Sequence, residues 1–272
     1  METPRLDHPD FAEFYDELPL WSAPFAQRIL ERAPLRRGSV IFDVGCGTGF
    51  LALELAQRCG PDARVHAVDP WPAAMARLDR KLAYHGVGNV ELVVRDAADT
   101  GLPDGSADLI VSNLGINNFD DPAAVLAECR RILKRGGRLM LTTNLRGHMA
   151  EVYAALREVA AELGLDAAGV DAAEAQRGTV SSTAGRLAAA GFVDVAHETT
   201  RYPMRFADGT AMLGHWFMRM AFIPGWVAAV GEANADRVLP ALAARLDTLA
   251  AQAGDLALTI PVALFEARRG AD

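Results

Sequence analysis

The sequence predicts an α/β protein built on a doubly wound, mainly parallel sheet. Three observations carry that expectation. Between residues 39 and 144, short runs of β-formers alternate with amphipathic helical stretches, the pattern of successive βαβ units. The runs are apolar throughout, as strands covered on both faces are. The first of them ends in three glycines spaced by single residues, VIFDVGCGTGF (40–50), at a strand-to-helix turn where open sheets of this kind bind ligands.

The elements follow in order. After a polar start, 11–30 holds two helix-like pieces interrupted by Pro19 and Pro24. SVIFDV (39–44), RVHAVD (64–69), NVELVVRD (89–96), ADLIVSN (107–113) and RLMLTTN (138–144) read as strands. FLALELAQRC (50–59), PAAMARLDRKLAYHG (72–86) and PAAVLAECRRILK (122–134) read as the helices between them, the last with Pro122 in its first turn and Gly136-Gly137 beyond its end. Beyond Asn144 the pattern changes: a helix over 148–163, an Ala/Gly-rich connector, a helix over 181–192, then an alternating strand over 192–200. A last strand covers 255–269. Hairpin loops run to about 5 residues, so the long segment between these two strands is an insertion. Its pieces at 208–222, PGWVAAVG and 235–252 are helical in pattern, and it reads as a lid.

Composition excludes several classes. A formal charge of −8 argues against a broad nucleic-acid surface, which needs a clustered positive footprint. Three widely spaced cysteines, Cys46, Cys59 and Cys129, offer neither a disulfide framework nor a CxxC metal pair, so no metal is expected and a reducing compartment fits. The opening METPRLDHPD lacks the basic start and apolar run of a secretory signal, and no apolar stretch reaches membrane-spanning length. The expectation is a soluble, cytoplasmic protein with no membrane or nucleic-acid partner.

The glycine spacing bears on the ligand. A dinucleotide fingerprint is GxGxxG, with a helix N-terminus aimed at a pyrophosphate. Here the spacing is Gly45-x-Gly47-x-Gly49, and Asp43 stands two residues before the first glycine. A carboxylate there is unwelcome beside a pyrophosphate and favourable beside an ammonium group. A dehydrogenase with a Tyr-x-x-x-Lys proton-transfer pair is also excluded, because neither Lys81 nor Lys134 follows a tyrosine by four.

This stretch resembles motif I of the class I S-adenosylmethionine-dependent methyltransferases, of the small-molecule, UbiE-like type, and the resemblance extends over most of the chain. Val68-Asp69-Pro70-Trp71 ends the second strand, Arg95-Asp96-Ala97 the third and Ser112-Asn113-Leu114 the fourth; LKRGGRL (133–139) is similar to the family's LKPGGxL turn, with Arg135 for proline. The resemblance implies a Rossmann-like, seven-stranded sheet, mostly parallel with the last strand antiparallel, and a helical lid between the last two strands. It implies an N-terminal segment (1–38) over the cofactor, a binding domain (39–200 and 254–272) and a lid (201–253). S-adenosylmethionine, leaving as S-adenosylhomocysteine, is the implied cofactor. Its amino-acid end lies at Asp43, Gly45, Cys46 and Gly47, its ribose at Asp69, its adenine against Pro70, Trp71, Asp96 and Ala97, and its amino group near Asn113 and Leu114. Tyr15 is a further expected contact. Gly49 is open to a different reading, as a packing residue.

The acceptor is less legible. The fourth strand continues as NLGINNF (113–119) rather than the (Asp/Asn)-Pro-Pro-(Tyr/Phe) of enzymes acting on nucleobase or amide nitrogens. Met204, Phe206, Met212, Trp216, Phe217, Met218, Met220, Phe222 and Trp226 crowd into the insertion. Met212, Trp216 and Met220 fall on one helical stripe, with Phe217 flanking it. A pocket for a small, hydrophobic or aromatic acceptor follows, with Asn117 and Asn118 as further acceptor contacts. His215 and Asn117 are the candidates for catalysis, His215 as general base. The competing readings are a protein or RNA methyltransferase and a binding protein without turnover. Monomer and homodimer stay open.

Overall fold

The computed structural model describes residues 11–15 and 21–271; Pro19 and the first ten residues lie outside the described residues. The strands are β1 Val40–Val44, β2 Arg64–Val68, β3 Val90–Val93, β4 Ala107–Asn113, β5 Leu133–Asn144, β6 Phe192–Phe206 and β7 Leu256–Arg269. They form one sheet in the order β3-β2-β1-β4-β5-β7-β6, parallel through the first five strands and antiparallel at the far edge. This is the Rossmann-like sheet expected, with β1 beside β4 at the point where the strand order reverses. Chain direction sets what happens there: the parallel register Asp43↔Ala67 and Asp43↔Val111 brings the ends of β1, β2 and β4 to one edge.

The helices among the described residues are α1 Phe11–Tyr15, α2 Ala23–Arg32, α3 Phe50–Cys59, α4 Pro72–His85, α5 Pro122–Ile132, α6 Ala150–Glu162, α7 Ala168–Ala175, α8 Val180–Ala189, α9 Gly209–Gly214, α10 Trp216–Ala221, α11 Ile223–Val230 and α12 Ala235–Ala253. The chain divides into two compact units. The sheet unit takes the described residues through Thr143, Val180–Thr199 and the chain from Ala263. The helical unit takes Asn144–Thr179 and Thr200–Val262. Thus α6 and α7 join the helices between β6 and β7, where the sequence reading assigned residues 144–179 to the sheet domain.

In the sheet unit, Ile41, Val65, Ala67, Leu109 and Val111 form a buried layer with Leu55 of α3 and Leu78 of α4. Burying each of the valine, leucine and isoleucine side chains contributes roughly 1.5–3 kcal/mol. Pro24 sits in the first turn of α2 rather than breaking it, since its missing N–H has no partner there in any helix. The LKRGG turn is a bulge inside β5: Ala107 pairs with Leu133 and Leu109 with Arg138, and the residues between loop outward. Gly137 is required there, because a Cβ would stand 2.9 Å from the Lys134 carbonyl oxygen.

One anchor ties the β3–β4 loop to α5. The Glu128 carboxylate accepts from the Thr100 N–H and hydroxyl and from Arg131 Nε and Nη2 (2.6 and 2.7 Å). Arg131 also reaches the Leu102 carbonyl (2.8 Å) and Asp104. The Arg131 pairing holds the Glu128 carboxyl well below its ordinary value, at about 2.

In the helical unit, close helix approach depends on small residues. A Cβ on Gly169 of α7 would collide with the Ala229 carbonyl of α11. The predicted single helix over 208–222 is a correction: it breaks at His215, which is extended (φ −67°, ψ 129°) between α9 and α10. Gly214, with its high conformational entropy cost in a helix, precedes the break. Met212, Trp216 and Met220 therefore do not share one helical stripe. Met212 and Met218 are buried, while Trp216 and Met220 are half-buried.

Because the folded pKa of Glu128 is depressed, its contribution is fully present above about pH 4.5 and is lost as the pH falls toward 2. Acid unfolding of Glu128→Gln, followed by circular dichroism, should show a weaker pH dependence between those limits than the parent chain. The difference should be at most about 3 kcal/mol.

Candidate cofactor site

The glycine loop is held in a backbone conformation that other residues rarely adopt. Gly45, Gly47 and Gly49 have φ of 73°, 54° and 82°. The N–H groups of Gly45 and Cys46 donate to the Val68 carbonyl (2.9 and 3.1 Å), and Gly49 N–H donates to Cys46 O (2.9 Å). The three glycines do different work. A Cβ on Gly49 would stand under 3.0 Å from three carbons of Leu78, so this glycine lets α3 meet α4. A Cβ on Gly45 would stand 3.2 Å from Phe119. A Cβ on Gly47 would meet nothing within 4 Å. The surroundings of Gly47 are therefore open, while Gly45 is the loop glycine that lines the neighbouring cavity.

Asp69, just past β2, fixes that loop. One carboxylate oxygen accepts from Gly47 N–H (2.8 Å), the other from Trp71 N–H (2.9 Å). Trp71 in turn packs on Phe11 (5.5 Å) and, edge-on, on Tyr15 (5.8 Å). Glu13 of the same short helix pairs with Arg77 and Arg80 of α4. So α1 lies over the start of α4, and Tyr15 touches Trp71. Asp96, past β3, is exposed and accepts from Ala98 N–H (2.7 Å), while Ala97 beside it is buried.

A cavity of about 200 Å³ lies among these residues, lined by Gly45, Asp69, Pro70, Asp96, Ala97 and Asn118 from the expected set. Its remaining wall comes from Gly115, Phe119, Asp120, Asp121 and Val125. Sequence reading passed over these five. The signal available was the helix-start pattern Asp121-Pro122: Asp121 caps α5 through Ala123 and Ala124 N–H, which fixes the segment leading into it.

Other expected residues have structural partners. The Asn113 side chain donates to Ser22 O (3.1 Å) and accepts from the Thr142 hydroxyl (2.8 Å). Leu114 is buried with φ 65°. Asn117 accepts from the Thr143 hydroxyl (2.6 Å). None of the three lines the cavity. His215, Met212, Trp216 and Met220 belong to the helical unit. His215 Nδ1 is buried without a partner, its ring stands edge-on to Phe206 (5.5 Å), and burial lowers its pKa.

Electrostatics sharpen the picture. Asp43 is 1% exposed and its Oδ2 has no hydrogen-bond partner. Burial pushes its carboxyl up to about 7, opposed by the Ala52 N–H and assisted by the charge of Asp69. Burial also raises Asp69, against its two N–H donors. The Cys46 thiol is raised by burial and then by the charges of Asp43 and Asp69, which disfavours its thiolate. Two carboxylates and an orphaned buried oxygen beside a glycine loop fit a ligand with a cationic group and a hydroxylated sugar. They do not fit a pyrophosphate.

Residues 42–141 match a family described as a methyltransferase domain. The sheet and the matched domain are those of S-adenosylmethionine-dependent methyltransferases, and they support that enzyme class and cofactor. Among curated relatives, the chain is 28% identical over 260 residues to nocamycin O-methyltransferase of Saccharothrix syringae, covering 90% of each. It is 32% identical over 109 residues to the demethylmenaquinone methyltransferase of Geobacillus kaustophilus, covering 40% of this chain and 47%, about half, of that one. The crystal structure of the YcgJ protein of Bacillus subtilis superimposes with a TM-score of 0.58 at 15% identity, over 92% of this chain and 100% of that one, which shows the fold alone.

The different burdens on the glycines predict separable effects. Gly49→Ala should lower stability by about 2 kcal/mol or more, through backbone strain and overpacking against Leu78. Gly47→Ala should cost only about 1–2 kcal/mol of strain while weakening S-adenosylhomocysteine binding. Thermal unfolding and calorimetric titration of the two variants distinguish these outcomes.

Proposed function

We propose that this chain methylates a small, largely apolar or aromatic molecule with S-adenosylmethionine as donor. The observation that carries the reading is Asp69. Its carboxylate sits on the cavity wall, at the tip of β2, oriented by two main-chain donors and one strand away from the exposed Asp96. Asp69 would hold the ribose hydroxyls, Asp96 and Ala97 the adenine edge, and the ionised Asp43 would favour the methionine ammonium across the loop. The chemistry supplied by bound S-adenosylmethionine is an electrophilic methyl carbon, with S-adenosylhomocysteine as the product.

What the chain must then do is hold an acceptor in line and receive its proton. Positioning alone brings a nucleophile to about 3–3.5 Å of the methyl carbon. His215 is a candidate proton acceptor: burial disfavours its charged form, leaving an imidazole able to take a proton. Asn117 is a candidate for orienting the acceptor through its amide, with its oxygen tethered to Thr143. Asn118, on the cavity wall of the sheet unit, is the proposed acceptor contact. The small-molecule class is supported by the nocamycin relative, whose similarity runs through 90% of the chain. It is also supported by the aromatic packing of the helical unit, where Phe222 stacks on Trp226 at 6.0 Å.

Calorimetric titration should give micromolar binding of S-adenosylmethionine and S-adenosylhomocysteine, no binding of NAD, and loss of the first two in Asp69→Ala. NAD binding alone would sink the reading. Labelled-methyl transfer should go to phenols or acids rather than to RNA or protein. The raised pKa of Asp43 adds a pH signature. Its ionised form, needed beside a cation, is the minor one below about pH 7. Affinity for S-adenosylhomocysteine should therefore rise from pH 6 to 8 by up to about tenfold. In Asp43→Asn the profile should be flat.

A further inference from the structure

A second cavity, of about 370 Å³, lies wholly within the helical unit, between α6, α7 and α11. Its walls divide by chemistry. Phe222, the Trp226 ring and small residues of α7 and α11 make an apolar floor, and Tyr153, Gln176 and Arg177 supply polar groups. Neither aspartate nor glutamate lines it.

Arg177 is half-buried, and among the described residues it has no carboxylate partner. The acids nearest in sequence are taken: Asp171 and Glu174 both pair with Arg157. Burial works against the charge of Arg177 and lowers its pKa, and no carboxylate is among the groups that act on it. Trp226 lines the same space. Trp226 is 2% exposed, and its indole N–H approaches the Tyr153 hydroxyl closely enough to favour that group's ionised form. Yet the N–H meets no acceptor at hydrogen-bonding geometry. Behind the wall, His148 packs on Tyr153 (5.6 Å) and Phe222 (6.0 Å). Burial and the nearby Arg177 hold it down to about 4, so at neutral pH it adds no charge. The cavity thus presents one cation and several N–H donors above an apolar floor, and leaving buried donors unmade costs about 1–3 kcal/mol each.

We propose that this cavity binds a small organic acid. Its carboxylate pairs with the guanidinium N–H groups of Arg177, while its aromatic or aliphatic body lies against Phe222 and the Trp226 ring. A carboxylate is acceptor-only and takes two donors at once. The assignment goes beyond the methyl-transfer reading and needs only residues of the helical unit.

The test titrates benzoate, salicylate, naphthoate and hexanoate, each beside its primary amide, into the full chain. It follows the nitrogen-labelled indole N–H signal of Trp226, assigned with Trp226→Phe. At least one acid should shift that signal and bind at least about tenfold more tightly than its amide, as expected for a hydrogen bond to a charged group. Arg177→Gln should remove the preference without lowering the unfolding temperature, since it relieves a desolvated charge. Amides binding as well as acids, acids binding equally to Arg177→Gln, or no acid shifting the Trp226 signal would each overturn the proposal. S-adenosylhomocysteine titrations on the same samples keep the two readings apart. Retained nucleoside binding without acid binding removes only this site, and the converse removes only the methyl-transfer reading.

Discussion

The site depends on one carboxylate taking two main-chain N–H groups. A loop with three left-handed glycines cannot continue a strand or a helix ladder, so its amides need partners from elsewhere. Val68 O serves Gly45 and Cys46, and Asp69 serves Gly47 and Trp71. Through Trp71, the same carboxylate sets the start of α4, on which α1 is paired. Backbone donors keep Asp69 in place, but they leave its outer lone pairs available. That combination suits a residue that must be rigid and still hold a sugar.

Both units keep buried polar atoms without partners where ligands are argued to bind. In the sheet unit it is Asp43 Oδ2, and in the helical unit they include Trp226 Nε1. Buried polar groups are nearly always satisfied in folded proteins, so an orphan beside a cavity marks where a fold trades stability for recognition. The two orphans have opposite hydrogen-bonding character, since a carboxylate accepts and an indole donates. Asp43 sets the sheet unit for a cation, and Arg177, lining a cavity free of carboxylates, sets the helical unit for an anion. Glu128 is the contrast, a nearly buried carboxylate fully engaged by Thr100 and Arg131, far from ionisation trouble.

Most of the sheet, and the edge at which β1, β2 and β4 end, were legible in the sequence because their signals are local. Apolar runs mark β1, β2 and β4, Asp121-Pro122 marks the start of α5, and each acid at a strand end is fixed in place by its strand. The readings that went astray depended on distant partners. A continuous helix over 208–222 satisfies local periodicity, and the break at His215 arises in the packed unit. Phe119 was invisible because only the fold reveals that Gly45 must be bare to admit its ring. The membership of α6 in the helical unit is long-range too: the Glu151 carboxylate at its start takes the Thr259 N–H (3.0 Å) and hydroxyl (2.6 Å).

The strand order has a consequence for the order of events during synthesis. β1 to β5 are consecutive in the chain and can pair as soon as they leave the ribosome. β6 cannot follow them, because its place in the sheet is next to β7, the strand made last. Until β7 slides in between, β5 is an open edge, and β6 waits with an alternating, half-exposed face. The nascent chain therefore carries an unfinished sheet through the whole translation of α9 to α12. Pausing or truncation in that interval would expose two strand edges to other chains.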